Sequence, residues 1–146
     1  MNNCPSCNQL IPEKQQPLVE ISVVLPVFNE QETIKELYRR LTKTLQKISN
    51  SYELIFIDDG SKDLSFNLLE ELTREDPKHM NVIKFSRNFG HHVAITAGIE
   101  HSRGKYTVLM DSDLQNPPEE IPLLYKKIKE GHDCVYGIRS RKTHTI

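Results

Sequence analysis

Four times in succession a short run rich in Val, Ile and Leu gives way to a stretch with helical spacing, and a fifth apolar run follows. Residues 19–28 read as a buried strand. Asn29 then offers a capping side chain, with Glu32 three residues on in the manner of a capping box. Ile34, Leu37, Tyr38, Leu41, Leu45 and Ile48 fall on one helical face. Residues 53–57 (ELIFI) form a second apolar strand that stops at Asp58-Asp59-Gly60-Ser61, and the next helix spaces Leu64, Leu68 and Leu72 by four. Residues 82–85 suit a third strand, 93–100 a helix of small residues, and 106–110 a fourth strand ending in Asp111. The following helix starts after Asn116-Pro117-Pro118. Proline there lacks an N–H that the first turn leaves unbonded anyway, and Glu119 and Glu120 meet the positive helix end. Its apolar face is Ile121, Leu124, Tyr125 and Ile128, stopped by Gly131, and residues 134–138 give a last strand.

Such repetition needs crossover connections, so the fold class is α/β, a mainly parallel Rossmann-like sheet with helices on both faces. Ligands of these sheets bind beyond the carboxyl ends of the strands. The unusual polar clusters fall there: Asn29-Glu30, Asp58-Asp59, Arg87-Asn88 and Asp111-Ser112-Asp113.

With 146 residues the chain fits one domain with a real core. Residues 1–17 are polar with three prolines and read as a loose leader, leaving 18–146 for the domain. A balance of 19 Lys+Arg against 20 Asp+Glu argues against nucleic-acid binding by bulk electrostatics. The run 21–28 is too short to cross a bilayer and Pro26 interrupts it. No secretory signal is visible at the start, so a cytoplasmic setting is expected. Cys4 and Cys7 form a CxxC, half of a zinc-ribbon ligand set, but no second CxxC follows and structural zinc is not expected.

Asp111 and Asp113 are the leading candidates for chemistry. Residues two apart on an extended segment point the same way, so both carboxylates can face one ion, and Gln115 continues the alternation. Hard cations such as Mg²⁺ or Mn²⁺ take oxygen ligands, and Mg²⁺ often uses one or two carboxylates plus substrate phosphates. A bare Asp-x-Asp arises readily by chance; its place after an apolar strand is what gives it weight. Asp58 and Asp59 suit turn chemistry, or an acid holding a ribose hydroxyl or base N–H. Glu30 reads first as a helix-start residue. His91 and His92 are adjacent, so their side chains diverge and a shaping role is expected. Arg139, Arg141 and Lys142 cluster near the end, where an arginine suits bidentate phosphate contact. No dinucleotide fingerprint, P-loop or Gly-x-Ser-x-Gly elbow occurs.

Taken together, residues 23–30 (VVLPVFNE), 53–63 (ELIFIDDGSKD), 85–92 (FSRNFGHH) and 109–122 (LMDSDLQNPPEEIP) resemble the family 2 glycosyltransferases with the GT-A fold. The likeness is strongest to the type that loads sugars onto polyprenyl phosphates. It implies a nucleotide-sugar donor, with a UDP-sugar favoured over a GDP-sugar, and a lipid-phosphate acceptor at the cytoplasmic face of a membrane. By position, Pro26, Phe28 and Glu30 would line the nucleotide pocket, with Phe28 where tyrosine is usual. Ile57 and Asp59 would contact the nucleoside. Asp111, Asp113 and Gln115 would hold Mg²⁺ or Mn²⁺, and Ser112 stands where alanine is usual. Asp111 and Asp113 are thereby the catalytic pair, and Arg139 would approach the donor phosphates. Members of this family run well beyond this length, so the resemblance further implies an incomplete domain, truncated at the C-terminus, with exposed apolar surface and a missing segment or membrane-embedded partner. The competing reading is a non-catalytic nucleotide-sugar-binding remnant or a partner-dependent subunit.

Overall fold

The computed structural model describes residues 19–138. They build four strands and four helices in alternation: β1 (Val19–Val27), α1 (Ile34–Leu45), β2 (Tyr52–Asp58), α2 (Ser65–Glu75), β3 (Met80–Lys84), α3 (His91–His101), β4 (Gly104–Leu109) and α4 (Ile121–Ile128). The sheet is wholly parallel in the order β3-β2-β1-β4. The order reverses beside β1, whose Val24 pairs with Ile55 of β2 and Leu109 of β4. That is the position at which an open α/β sheet leaves a crevice for a ligand.

The strands are nearly continuous in apolar residues because both faces are covered. On one face Ile21, Val23, Leu25 and Val27 pack with Leu54 and Phe56 against α1, α2 and α4, through Ile34, Leu37, Leu41, Leu45, Leu69, Leu72 and Ile121. On the other face Val24, Ile55 and Ile57 meet Ala94 of α3. Here α3 lies so close that a Cβ on Gly98 would stand 2.3 Å from Val24 Cγ1.

Three local expectations are corrected. The α1 N-cap is Thr33, without a side-chain cap bond, because Asn29 has turned left-handed (φ 54°) to bond the neighbouring loop instead. In α2 the inward residues are Leu69 and Leu72, while Leu64 lies before the helix and is exposed, so a helix four-residue stripe has drifted around the cylinder. Residues 134–138 form no strand, and Tyr136 and Ile138 are 78% and 82% exposed. A strand exists only by hydrogen bonding to a neighbour, and apolar composition alone supplies none. The outer edge of β4 is unpaired among the described residues, and Leu109 on that strand is half exposed. This agrees with the apolar surface expected of such a sheet.

At the opposite edge from the ligand crevice, Glu53 is almost fully buried in register with Ser22. Ser22 Oγ donates to its Oε1 at 2.6 Å, and the Arg103 backbone N–H and guanidinium complete the clasp. Burial alone would raise the Glu53 pKa, but these hydrogen bonds and the Arg103 charge outweigh it and hold the group below its usual value. The clasp fixes the turn between α3 and β4.

Candidate functional site

Four loops meet beyond the carboxyl ends of the strands, and polar side chains knit them. The β1–α1 loop is tied to the β2–α2 loop: Asn29 N–H donates to Ser61 Oγ, Lys62 N–H to Asn29 Oδ1, and Glu30 N–H to Ser65 Oγ. Gln31 and Asp63 add a further exchange, Gln31 N–H donating to Asp63 Oδ2 and Leu64 N–H to Gln31 Oε1. Gly60 brings this loop against the next. With φ at 74°, it sits where an added Cβ would come within 2.4 Å of the Arg87 carbonyl carbon. Asp59, 4% exposed, then clamps the β3–α3 loop, accepting the Phe89 N–H at 2.7 Å and the Gly90 N–H at 3.1 Å. Its neighbour Asp58 is wholly buried, accepts a long bond from Ser61 N–H, and leaves Oδ2 with no partner.

The segment after β4 bends instead of continuing extended. Ser112 points inward, 4% exposed, donating from Oγ to Pro26 O at 2.8 Å, while Thr33 Oγ1 donates to Ser112 O at 2.8 Å. Asp111 and Asp113 lie on either side of this anchored residue, so the alternation places neither in the core. Asp113 Oδ1 accepts the Gln115 N–H, and Leu114 adopts φ 63°, which interrupts the alternation that carried Gln115 toward the same ion. Farther on, Arg40 of α1 grips Glu119 through a two-pronged ion pair that draws the Glu119 pKa down to about 2, tying the end of this segment to α1.

Negative charge gathers where the loops converge. Burial raises the pKa of Glu30, a hydrogen bond from Thr33 lowers it, and the charges of Asp113 and Asp63 raise it again, for a net upward shift. Glu30 and Asp113 therefore sense one another directly. Asp111 faces a different neighbour, His91 at the first turn of α3, with Nε2 3.6 Å from Asp111 Oδ1. Asp111 is exposed and Glu30 and Asp113 are half-buried, and all three offer the hard oxygen donors that a divalent cation takes. Among the described residues no three His, Cys, Asp or Glu side chains converge on one point.

The expected residues separate into two layers. Phe28, directly after β1, is 44% exposed, and Glu30, Asp111 and Asp113 are at least partly accessible. Pro26, Ile57, Asp59 and Ser112 lie beneath, and Ile57 is packed under Gly98 of α3. Arg139, and Cys4 with Cys7, lie outside the described residues, as do the leader at 1–17 and the basic pair Arg141 and Lys142. Sequence reasoning passed over Thr33, Ser61 and Ser65, which hold the loops together, and gave His91 only a shaping role. Hydroxyl residues at helix starts are common enough that no signal singled these out.

No helix among the described residues is long and apolar enough to cross a membrane. The model of the family described as Glycosyl transferase family 2 matches residues 22–145. A glycosyltransferase of Bacillus subtilis, YkcC, is 44% identical over 124 residues, covering 85% of this chain and 38% of that protein. The undecaprenyl-phosphate 4-deoxy-4-formamido-L-arabinose transferase of Pseudomonas fluorescens is 43% identical over 129 residues, 88% of this chain and 38% of that one. Among solved structures, S. aureus TarS 1-349 in complex with UDP-GlcNAc superposes with a TM-score of 0.64 at 23% identity, over 77% of this chain and 32% of that 1-349 chain. The chain therefore spans well under half the length of the curated relatives it matches.

Proposed function

This chain belongs to glycosyl transferase family 2, with a GT-A-type sheet, and on that premise we propose that residues 19–138 bind the nucleotide-sugar donor of an inverting glycosyltransferase acting on a polyprenyl phosphate. The observation that supports the reading is the placement of Glu30, Asp111 and Asp113 on the loops beyond the carboxyl ends of β1 and β4, where the order of the sheet reverses. A UDP-sugar is the favoured donor, and the naming of relatives for undecaprenyl phosphate supports the acceptor class. The nucleoside lies against Phe28 over Pro26 and Ile57. Asp59, two of whose lone pairs serve Phe89 and Gly90, meets it with those that remain. Arg139, outside the described residues, is the proposed partner of the diphosphate.

Asp111 and Asp113, with Gln115 beside them, would hold Mg²⁺ or Mn²⁺, and a bound ion there supplies positive charge opposite the departing diphosphate. Ser112 fixes the two acids by anchoring the loop to Pro26. In the reaction a phosphate oxygen of the acceptor forms a bond to the anomeric carbon. The bond from that carbon to the donor diphosphate breaks, and the nucleoside diphosphate leaves with the electron pair. A phosphate monoester has its second pKa near ~6, so the acceptor is largely ionised at neutral pH and needs no strong general base. The site works at the cytoplasmic face of a membrane, where such an acceptor is presented.

The edge of β4, unpaired among the described residues, favours a second reading, in which the chain binds donor and completes the transfer only with further polypeptide. Calorimetric titration of UDP-glucose and GDP-mannose, with and without Mn²⁺, separates the outcomes on the intact chain and on Asp113→Ala. UDP-sugar binding should need Mn²⁺ and weaken at least about tenfold in the variant, the loss of roughly 1.4 kcal/mol. Binding that ignores both metal and mutation would sink the assignment; binding without turnover supports the second reading.

A further inference from the structure

β3 ends the sheet on the side away from β4, and a groove runs between it and α3. Phe85, directly after β3, lines one side, and His92, Val93, Thr96, Ala97 and Glu100 of α3 line the other. Spacings of three and four put these α3 residues on one helix face, and His92 and Glu100 stand about 12 Å apart along its axis. The groove holds about 390 Å³, within the range of small-molecule sites. Its middle is apolar, and Val93 leaves 47% of its surface to solvent there.

The two ends of the groove differ in charge. Phe89 meets Phe85 edge to face, ring centroids 5.6 Å apart, and Arg87 lies over the Phe89 ring with Cζ 4.5 Å from its centroid. A stacked guanidinium uses its face and keeps its edge N–H groups for hydrogen bonds. Among the described residues no carboxylate forms an ion pair with Arg87. This is also the end nearest the donor acids, since His92 follows His91, whose Nε2 is 3.6 Å from Asp111 Oδ1. Glu100 stands at the far end, two helical turns away. We propose that this groove seats the lipid-phosphate acceptor, with Arg87 on the phosphate and Phe85, Val93 and Ala97 against the first isoprenoid units. A polyprenyl phosphate presents a charge of about −1.5 to −2 followed by an apolar chain, which matches one cation followed by an apolar wall. A second copy of this chain would have to cover Arg87 and Glu100 together. The inference rests on the donor-site reading above and extends it to the second substrate.

Titration calorimetry of the intact chain with farnesyl phosphate below its micelle concentration, farnesol and inorganic phosphate separates headgroup from tail. Farnesyl phosphate should bind, farnesol should bind about tenfold more weakly for want of the charged hydrogen bonds, and inorganic phosphate should show no saturable binding. Arg87→Gln should bring farnesyl phosphate down to the level of farnesol. Val93→Asp and Thr96→Asp, both at exposed positions of α3, should weaken both lipids by about tenfold or more, because each puts a charge against the apolar chain. UDP-sugar binding should stay the same in those two variants, and circular dichroism checks that α3 persists. A chain that binds UDP-sugar but no farnesyl phosphate, or binds it equally in all three variants, overturns the groove alone. A dimer in sedimentation that Val93→Asp dissolves makes the groove an interface between copies and overturns it as well. A chain that binds no UDP-sugar removes the donor reading, and the acceptor assignment with it.

Discussion

Gly98→Ala tests the seating of α3, on which the geometry of the crevice depends. In an open helix this change stabilises by about 1 kcal/mol, since alanine is the better helix former. Here the new Cβ would meet Val24 Cγ1 at 2.3 Å and Ile57 Cδ1 at 2.7 Å, where carbon atoms rest at about 3.5–4.0 Å. Ile57 Cδ1 ends a chain with two torsions and can swing aside. Val24 cannot: it is β-branched, fully buried, and lies on the central strand with partners on both sides. Overpacking of this kind costs about 1–3 kcal/mol. The upper end applies, and the net after the propensity gain is about 2 kcal/mol destabilising. Urea unfolding at a slope of about 2 kcal/mol/M should then place the midpoint roughly 1 M lower. Made in a Val24→Ala background, the same substitution should cost less by about 1 kcal/mol or more, because the two sites are in contact. A midpoint that rises in the single variant would mean helix propensity wins, and that α3 does not press on the sheet as described.

Glu53→Gln should destabilise by about 1.5–3 kcal/mol at neutral pH, the range for hydrogen bonds to a charged group, toward the lower figure because Arg103 is 58% exposed. The Glu53 pKa is lowered on folding, so its contribution is complete above the unfolded value of about 4.3 and disappears as pH falls through the folded value. The stability gap between wild type and variant, followed by urea titration from pH 7 downward, should close in acid; a gap that widens there contradicts the clasp. Thr33→Val removes the bond to Ser112 O and the one that holds Glu30 down. It should lose about 1 kcal/mol and move the Glu30 pKa higher still by carboxyl NMR, whereas Asp113→Asn should move it lower.

Periodicity in the chain was enough to place four strands and four helices, because covered parallel strands read as apolar runs and the helices carry one apolar face each. It failed where an element depends on a partner that the sequence does not display. Residues 134–138 have the composition of a strand and lie exposed without one. Leu64 matches the stripe of α2 yet stands outside the helix, since the stripe does not show where the first hydrogen-bonded turn closes. The acids at the strand ends were legible for the same reason as the topology: charge directly after a buried strand is expensive to place anywhere but a ligand edge. Their hydrogen-bond partners were not. Asp58 and Asp59 are indistinguishable in the sequence, and only folding shows one clamping the next loop and the other keeping an unpartnered buried oxygen.

That distinction bears on how the whole crevice is built. Asn29, Ser61, Ser65, Thr33, Ser112 and Asp59 each use their polar atoms to hold one loop against another. Judged by position alone they would be read purely as ligand contacts, although these atoms serve the fold. What remains after these are set aside is a small group whose charges are not balanced within the fold. Glu30 is pushed upward by burial first and then by the charges of Asp113 and Asp63, and Asp111 has the His91 imidazole 3.6 Å away. A folded chain keeps like charges together where something else neutralises them. On loops fixed by hydroxyl and amide bonds, the proposed cation and the donor phosphates would supply that neutralisation. The bonded layer beneath sets where the loops that carry Asp111 and Asp113 stand.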